Sequence, residues 1–264
     1  MAILKLKIVN SEGLVLCEAE GNDFVDLVYA NTYEIGNKIL LSSTVTPALL
    51  SIQLDDAIGK SSVYLTGDME YEIPFGEKRA NMSPKAFEGE VHYLFAEVVT
   101  DLEKGVYRNL ACNPYDVAGQ ATCYPHASAN IETRNETVFA ARNAIDGVRA
   151  NLFHGEWPYT SWGINRRDDA EFKLEFGRSV VVDKILIYTR ADFPHDNWWK
   201  QITMSFSNGE QICSALEKSK FAHVITFEPK EIEWLKLHDL IKADDPSPFP
   251  ALTQIEVYGK EVAE

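Results

Sequence analysis

The sequence predicts an all-β fold of two β-sandwiches in tandem, each of jelly-roll type. Short runs of alternating apolar and polar residues recur along most of its 264 residues, the period-two signature of strands with one buried face. Clusters of turn-forming residues such as "SEG", "AIGK", "PFGEKRANMSP" and "EKG" separate the runs, which is the punctuation of an antiparallel sheet. The chemistry is also uneven along the chain: all five tryptophans, Trp157, Trp162, Trp198, Trp199 and Trp234, fall in the second half. Between the halves, "VYRNLACNPYDVAGQATCYPHASAN" lapses into Pro, Gly, Asn and small residues, which suits a connection between two units. The expected organisation is an N-terminal sandwich over 1–110, a linker over 111–117 and a second sandwich over 118–264.

Taken in order, the first-half strands are "ILKLKIV", "LVLCEAE", "NKILLSS", "LLSIQLD", "SVYLTG", "MEYEIPF" and "VHYLFAEVVT". The second half opens with a short predicted helix, "NETVFAARNAIDG", with Asn135 as N-cap and Gly147 just past its end. Strands follow at "AEFKLEFG", "VDKILIYTR", "ITMSFSNG", "HVITFEP", "IEWLKLHDL" and "TQIEVYG".

Composition bounds the function. A hydrophobic share of 45% and an aromatic share of 11% describe a globular chain. With Lys+Arg at 25 against Asp+Glu at 40, the formal charge of -15 repels a phosphate backbone or an anionic membrane surface. Neither nucleic acid nor membrane is therefore an expected partner, and no run approaches the roughly 20 apolar residues of a membrane helix. The start "MAILKLKIVNSEGLVL" interleaves lysine with apolar residues and reads as a strand instead of a signal peptide. That makes a soluble, cytoplasmic protein the default. Cys17, Cys112, Cys123 and Cys213 show no CxxC spacing and are expected as buried free thiols. Sequons at Asn81 and Asn135 matter only if a eukaryotic cell secretes the chain. There is no GxGxxG, HExxH or GxSxG; "IGKSS" lacks the first glycine of a P-loop, and "HGE" has no later PCxxC.

The second half carries "ASAN", then "NAIDG", "TSW", "FKLEFG", "VDKILIYTR", "ITMSFSNG" and "TQIEVYG" in that order. Over about residues 118–260 this series resembles the discoidin, or coagulation factor type C, family of galactose-binding-like sandwiches, to which many carbohydrate-binding modules belong. The resemblance implies about eight strands, ligand-binding loops at one end that commonly take a terminal sugar, and a structural calcium ion beside the short helix. Its ligands would be the carbonyls of Asn143 and Val148, the carboxylate of Asp146, a loop group from Asn151 or Thr160, and Thr253 and Gln254. Gln254 stands where the family usually has Glu, and the insertion "RANLFHGEWPY" leaves the choice between Asn151 and Thr160 open. Without a metal, Asp146 would cap the "DG" turn through its own backbone. Because the family often works outside cells, an extracellular placement also stays open.

Three loop segments concentrate aromatic and hydrogen-bonding groups: "HGEWPYTSW" at 154–162, "RADFPHDNWW" at 190–199 and "DDPSPFPAL" at 244–252. A sugar needs this mixture, because its C–H faces stack on flat rings while its hydroxyls take paired donors and acceptors. Trp157, Trp198 and Trp199 are candidate platforms; His154, Glu156, Arg190, Asp192, His195, Asp196 and Asn197 are candidate readers of hydroxyls. Of the adjacent pair, Trp198 is expected inward or shared and Trp199 outward. Trp162 and Trp234 are expected in the core, and Arg190 beside Asp192 has a surface ion pair as its simpler reading. The sequence thus points to a non-catalytic carbohydrate-binding protein. A glycoside hydrolase using Glu156 with Asp192 or Asp196 is the alternative, since such enzymes need two carboxylates about 5–10 Å apart. An interaction or assembly module is a further one. Two histidines with Asp192 also offer transition-metal ligands, without the i, i+4 spacing that would support them.

Overall fold

The computed structural model describes residues 1–262. Among them every strand pairing is antiparallel. The first half is a sandwich of two sheets. One has the order β2-β1-β4-β7, from β1 (Ile3–Val9), β2 (Val15–Asn22), β4 (Lys38–Ser43) and β7 (Met69–Glu72). The other runs β10-β6-β5-β8-β3, from β3 (Phe24–Tyr29), β5 (Ala48–Gln53), β6 (Ser61–Leu65), β8 (His92–Val98) and β10 (Cys123–Tyr124). Leu4, Leu6, Ile8, Ile39 and Leu41 from the first sheet meet Leu50, Ile52, Val63, Leu65 and Leu94 from the second in one core. β3 is the longest strand without a counterpart among the predicted ones. Its alternation is regular, with Val25, Leu27 and Tyr29 buried, but no turn cluster sets it off from β2; a tight corner at Asp23 with φ 58° does so instead.

The second half builds one eight-stranded sheet around a second core. Its order is β12-β17-β13-β16-β14-β15, from β12 (Trp162–Gly163), β13 (Phe172–Thr189), β14 (Trp199–Phe206), β15 (Gln211–Ala215), β16 (His223–Lys242) and β17 (Ala251–Glu261). β11 (His126–Ala129) adds to β13, and β9 (Arg108–Asn109) adds to β17. "AEFKLEFG" and "VDKILIYTR" are one strand, β13, whose register shifts between Glu175 and Val180. Gly177 sits in that shift at φ 68°, where a Cβ would lie 2.4 Å from the Tyr124 ring; glycine ends the apparent strand in the sequence while letting the real one bend. Trp234, expected in the core, is half-buried: Leu235 and Leu237 hold the inner face, which turns their neighbour outward beneath the Lys173 ammonium.

The helix predicted over "NETVFAARNAIDG" is not formed. Residues 133–145 make three separate 3-10 turns, Thr133–Asn135, Thr137–Phe139 and Ala141–Ile145, and Glu136 and Ala140 between them are extended. Asn135 is no N-cap; it lies at φ 54°. Long-range bonds replace a helical ladder: Thr137 Oγ1 donates to the Glu77 carbonyl at 2.7 Å, and Glu132 Oε1 accepts from the Ala141 N–H at 2.7 Å. The α-helix among the described residues is α1 (Asp101–Lys104), closed by a Thr100–Glu103 capping box. No helix there is long and apolar enough to cross a membrane.

The segment expected as a linker is threaded between both cores. Leu110 and Ala111 pack into the second core, Tyr115 and Cys123 into the first. Asn113, Tyr115 and Asp116 are fully buried. Its Pro and Asn residues make turns closed by side chains: Asn113 Nδ2 donates to the Pro125 carbonyl at 2.9 Å, and Asp116 takes the His126 ring at 2.7 Å and the Ala127 N–H at 2.9 Å. The halves are tied directly as well, through Ser61 Oγ to the Cys112 carbonyl at 3.0 Å and the Trp157 N–H to the Ala80 carbonyl at 2.9 Å. The cysteines are free; Cys123 is buried and Cys112 half-buried, whereas Cys213 is exposed on β15.

Candidate ligand site at the loop end

The loops after β11, β13 and β16 converge at one end of the second sandwich. His154, His195 and Phe249, one from each of the three loop segments, form a column: the two imidazoles stack at 4.1 Å with planes 6° apart, and His195 stacks on Phe249 at 5.3 Å and 8°. The Arg166 guanidinium lies 4.6 Å from the Phe249 ring centre. Beside the column is a cavity of about 130 Å³ lined by His154, His195, Arg166, Arg190, Phe139 and Phe249 among others. Imidazole and guanidinium groups share this lining with the apolar Phe139 and Pro250. That volume lies below the roughly 300 Å³ at which drug-sized clefts begin. Phe249 is the one aromatic residue of the 244–252 segment, the signal that could have found it, whereas Arg166, inside the charged run "NRRDD", carries none.

The "RADFPHDNWW" loop supplies the scaffold. Arg190 pairs with Asp196 and not with Asp192: its Nε and Nη2 reach Asp196 Oδ1 at 2.9 and 2.6 Å, and the two residues are 4% and 0% exposed. Asp196 Oδ2 also accepts the Asp192 N–H at 2.9 Å, which curls the loop onto the guanidinium. Breaking such a buried pair from one side costs about 3–5 kcal/mol. Asn197 is equally enclosed, donating to the carbonyls of Ala243 and Ser247 at 3.2 and 2.8 Å, and so pins the third loop to the second. Asp196 and Asn197, expected to read hydroxyls, are therefore held inside the fold. Trp199, expected outward, is 1% exposed and packs 6.3 Å from Trp162 in the core. Trp198 is the half-exposed one of the pair, edge-on to Phe193 and beneath the Lys218 ammonium. Trp157 remains 38% exposed, but its backbone is fixed to the first half, away from the column's cavity. Glu156 is exposed and does not line that cavity.

His154 Nδ1 lies 2.6 Å from Asp192 Oδ2, and one ligand atom each from His154, Asp192 and His195 fall within 4.8 Å of one another. Imidazole lone pairs lie in the ring plane. Two planes 6° apart, stacked face to face, do not converge on one ion, so this arrangement serves hydrogen bonding better than metal chelation.

The residues implied for calcium surround the Gly147 turn only in part. Asp146 Oδ1 accepts the Val148 N–H at 2.8 Å and Gln254 Oε1 accepts the Gly147 N–H at 3.2 Å. Asp146 thus does cap its own turn. Burial pushes its carboxyl up to about 7 against the lowering effect of Arg142, the condition of a carboxylate short of positive charge. Thr253 Oγ1 is buried without a hydrogen-bond partner. Thr160 is buried, and Asn151 points its amide nitrogen at the carbonyls of Thr189 and Lys220 at 2.9 and 3.0 Å. Asn143 likewise spends its amide nitrogen on the carbonyls of Thr137 and Ser161, leaving its backbone oxygen as the ligand atom in question. With one carboxylate, several neutral oxygens and an unpartnered hydroxyl, the donor set suits a hard cation held weakly.

No protein-family profile and no curated sequence matches the chain. Solved structures do. A mutant of chitosan-binding module 1 from a chitosanase/glucanase of Paenibacillus sp. IK-5 is 19% identical, with a TM-score of 0.42 over 58% of this chain and 100% of that one. The family 32 carbohydrate-binding module of C. perfringens NanJ, solved with galactose, is 20% identical with a TM-score of 0.41 over 58% and 99%. The lectin domain of lectinolysin, solved with Lewis B antigen, is 18% identical with a TM-score of 0.42 over 58% and 96%.

Proposed function

We propose that this chain is a non-catalytic carbohydrate-binding protein whose second sandwich, of galactose-binding-like type, takes one end of a mono- or oligosaccharide at the loop-end cavity. The observation that carries the reading is the His154–His195–Phe249 column, in which three loops distant in sequence place two imidazoles beside an aromatic ring. His154 and His195 read hydroxyls, Asp192 orients the His154 ring, and the Arg190–Asp196 pair holds the loop in shape. Trp157 and Trp198, expected as stacking platforms, lie outside this cavity. The hydrolase alternative loses a partner, because Asp196 is sealed against Arg190. In the same reading Asp146, Gln254, Thr253 and the carbonyls of Asn143 and Val148 hold calcium, which steadies the turn beneath the loops.

A glycan array followed by isothermal titration tests this. Saturable binding of a saccharide, lost in a His154→Ala, His195→Ala double variant that melts at the parent temperature, is the expected result. Failure of every saccharide to bind, or undiminished binding in that variant, overturns it. Repeating the melts with calcium and with EDTA tests the metal: calcium is expected to raise the melting temperature of the parent and not of Asp146→Asn.

A further inference from the structure

The loop-end cavity differs in charge from the rest of the molecule. The chain carries a formal charge of -15, but the lining of this cavity holds Arg134, Arg166, Arg190, His154 and His195 and no carboxylate. The carboxylates that pair with these residues are already spent: Asp196 on Arg190, Glu136 on Arg134 and Asp192 on His154. Arg166 has no such partner. It is exposed, and among the described residues it forms no hydrogen bond or ion pair; what it meets is the Phe249 ring, 4.6 Å from the guanidinium carbon to the ring centre. A guanidinium held over a ring by its charge spends none of its N–H donors, which stay free to meet a carboxylate through two parallel bonds.

The backbone beneath it is strained in a way that favours this presentation. Asn165 and Arg166 are the central residues of a tight turn that the Arg167 N–H closes onto the Ile164 carbonyl at 3.0 Å. Both lie at positive φ, 49° and 63°, where such a turn prefers asparagine followed by glycine. Asparagine suits its place. Arginine at the second place carries a strain that glycine would relieve, and strain of this kind gathers at ligand sites. The turn is fixed from the side, the Asn165 N–H donating to Thr133 Oγ1 at 2.9 Å. The guanidinium is thereby brought to Phe249, which stacks in turn on His195.

We propose that the sugar taken at the loop end is acidic, a uronic or sialic acid whose carboxylate sits on the Arg166 guanidinium while His154 and His195 take its hydroxyls. This rests on the loop-end cavity being the saccharide site.

Isothermal titration of the full chain with D-galacturonate, D-glucuronate and N-acetylneuraminate, against D-galactose and D-glucose, tests the assignment. At least one acid is expected to bind about tenfold or more tighter than either neutral sugar, the worth of a good hydrogen-bonded charge pair. Arg166→Gly, which suits the turn, loses that preference while its circular dichroism and melting remain those of a folded chain. Arg167→Gly, next to it but paired with Asp169, keeps the preference and so separates a seated carboxylate from general attraction to positive charge. The proposal falls if a neutral sugar binds as tightly as every acid, if Arg166→Gly keeps the preference, or if Arg167→Gly loses it equally. Neutral-sugar binding that disappears in the His154→Ala, His195→Ala variant, without any preference for acids, overturns the acidic ligand and leaves the cavity a saccharide site; failure of acids and neutral sugars alike removes the site as well.

Discussion

Trp198 and Trp199 take opposite sides of the strand they open, as adjacent strand residues must. That they differ is legible in the sequence; which one faces inward is not. The choice is made by the pairing of Trp199 with Lys242 across β14 and β16, a contact between residues far apart in the chain. Trp199→Ala is expected to cost about 3–5 kcal/mol in urea denaturation, the usual range for emptying a large core site, whereas Trp157→Ala stays within about 0.5 kcal/mol. Equal effects would remove the distinction between core and surface ring. Arg190 carries the same lesson: Asp192 is its nearer neighbour in sequence, but the loop curls until Asp196 meets the guanidinium. His154, His195 and Asp192 were readable as polar loop residues; the stacking that orders them was not, because it depends on Phe249.

Among the elements, those with clean alternation were legible, from β1 and β4 to β8 and β17. The long β13 and β16 were read as pairs of strands because a bulge interrupts the alternation as a turn does. At the free end of β17, Glu261 bonds Arg178 through both oxygens at 2.6 and 2.7 Å and Arg108 at 2.5 Å, locking β9, β13 and β17 together. Burial pushes the Glu261 carboxyl up, but the Arg178 bond and charge, followed by Arg108, outweigh it and hold the group below its ordinary range. A carboxyl depressed in the folded state contributes stability that is full above its unfolded value and is lost as pH falls through its folded value. Glu261→Gln should therefore lose about 3 kcal/mol at neutral pH, and its deficit against the parent should shrink as melts are taken to pH 3. A constant deficit across that range would show that the ion pair contributes nothing.

For the molecule as a whole, the sequence shows two units but misplaces their junction. Composition reports that 106–130 lapses from strand periodicity; it does not report that Tyr115 and Cys123 fill one core while Leu110 fills the other. The halves are thus interlocked, and a chain ending at residue 110 leaves the β6 edge bare and the Tyr115 slot unfilled. That fragment is expected to unfold at lower urea than one ending at residue 125. Identical midpoints would mean that the first sandwich is complete without the segment.

The sequon at Asn81 acquires a practical meaning from its burial. Its amide nitrogen, the atom a eukaryotic secretory pathway would glycosylate, is the one that reaches Asn143 across the junction. A glycan added there before folding would stand where the second half has to close. Bacterial expression avoids that obstruction, and in a secreting eukaryotic host Ser83→Ala removes the acceptor signal while leaving Asn81 in place.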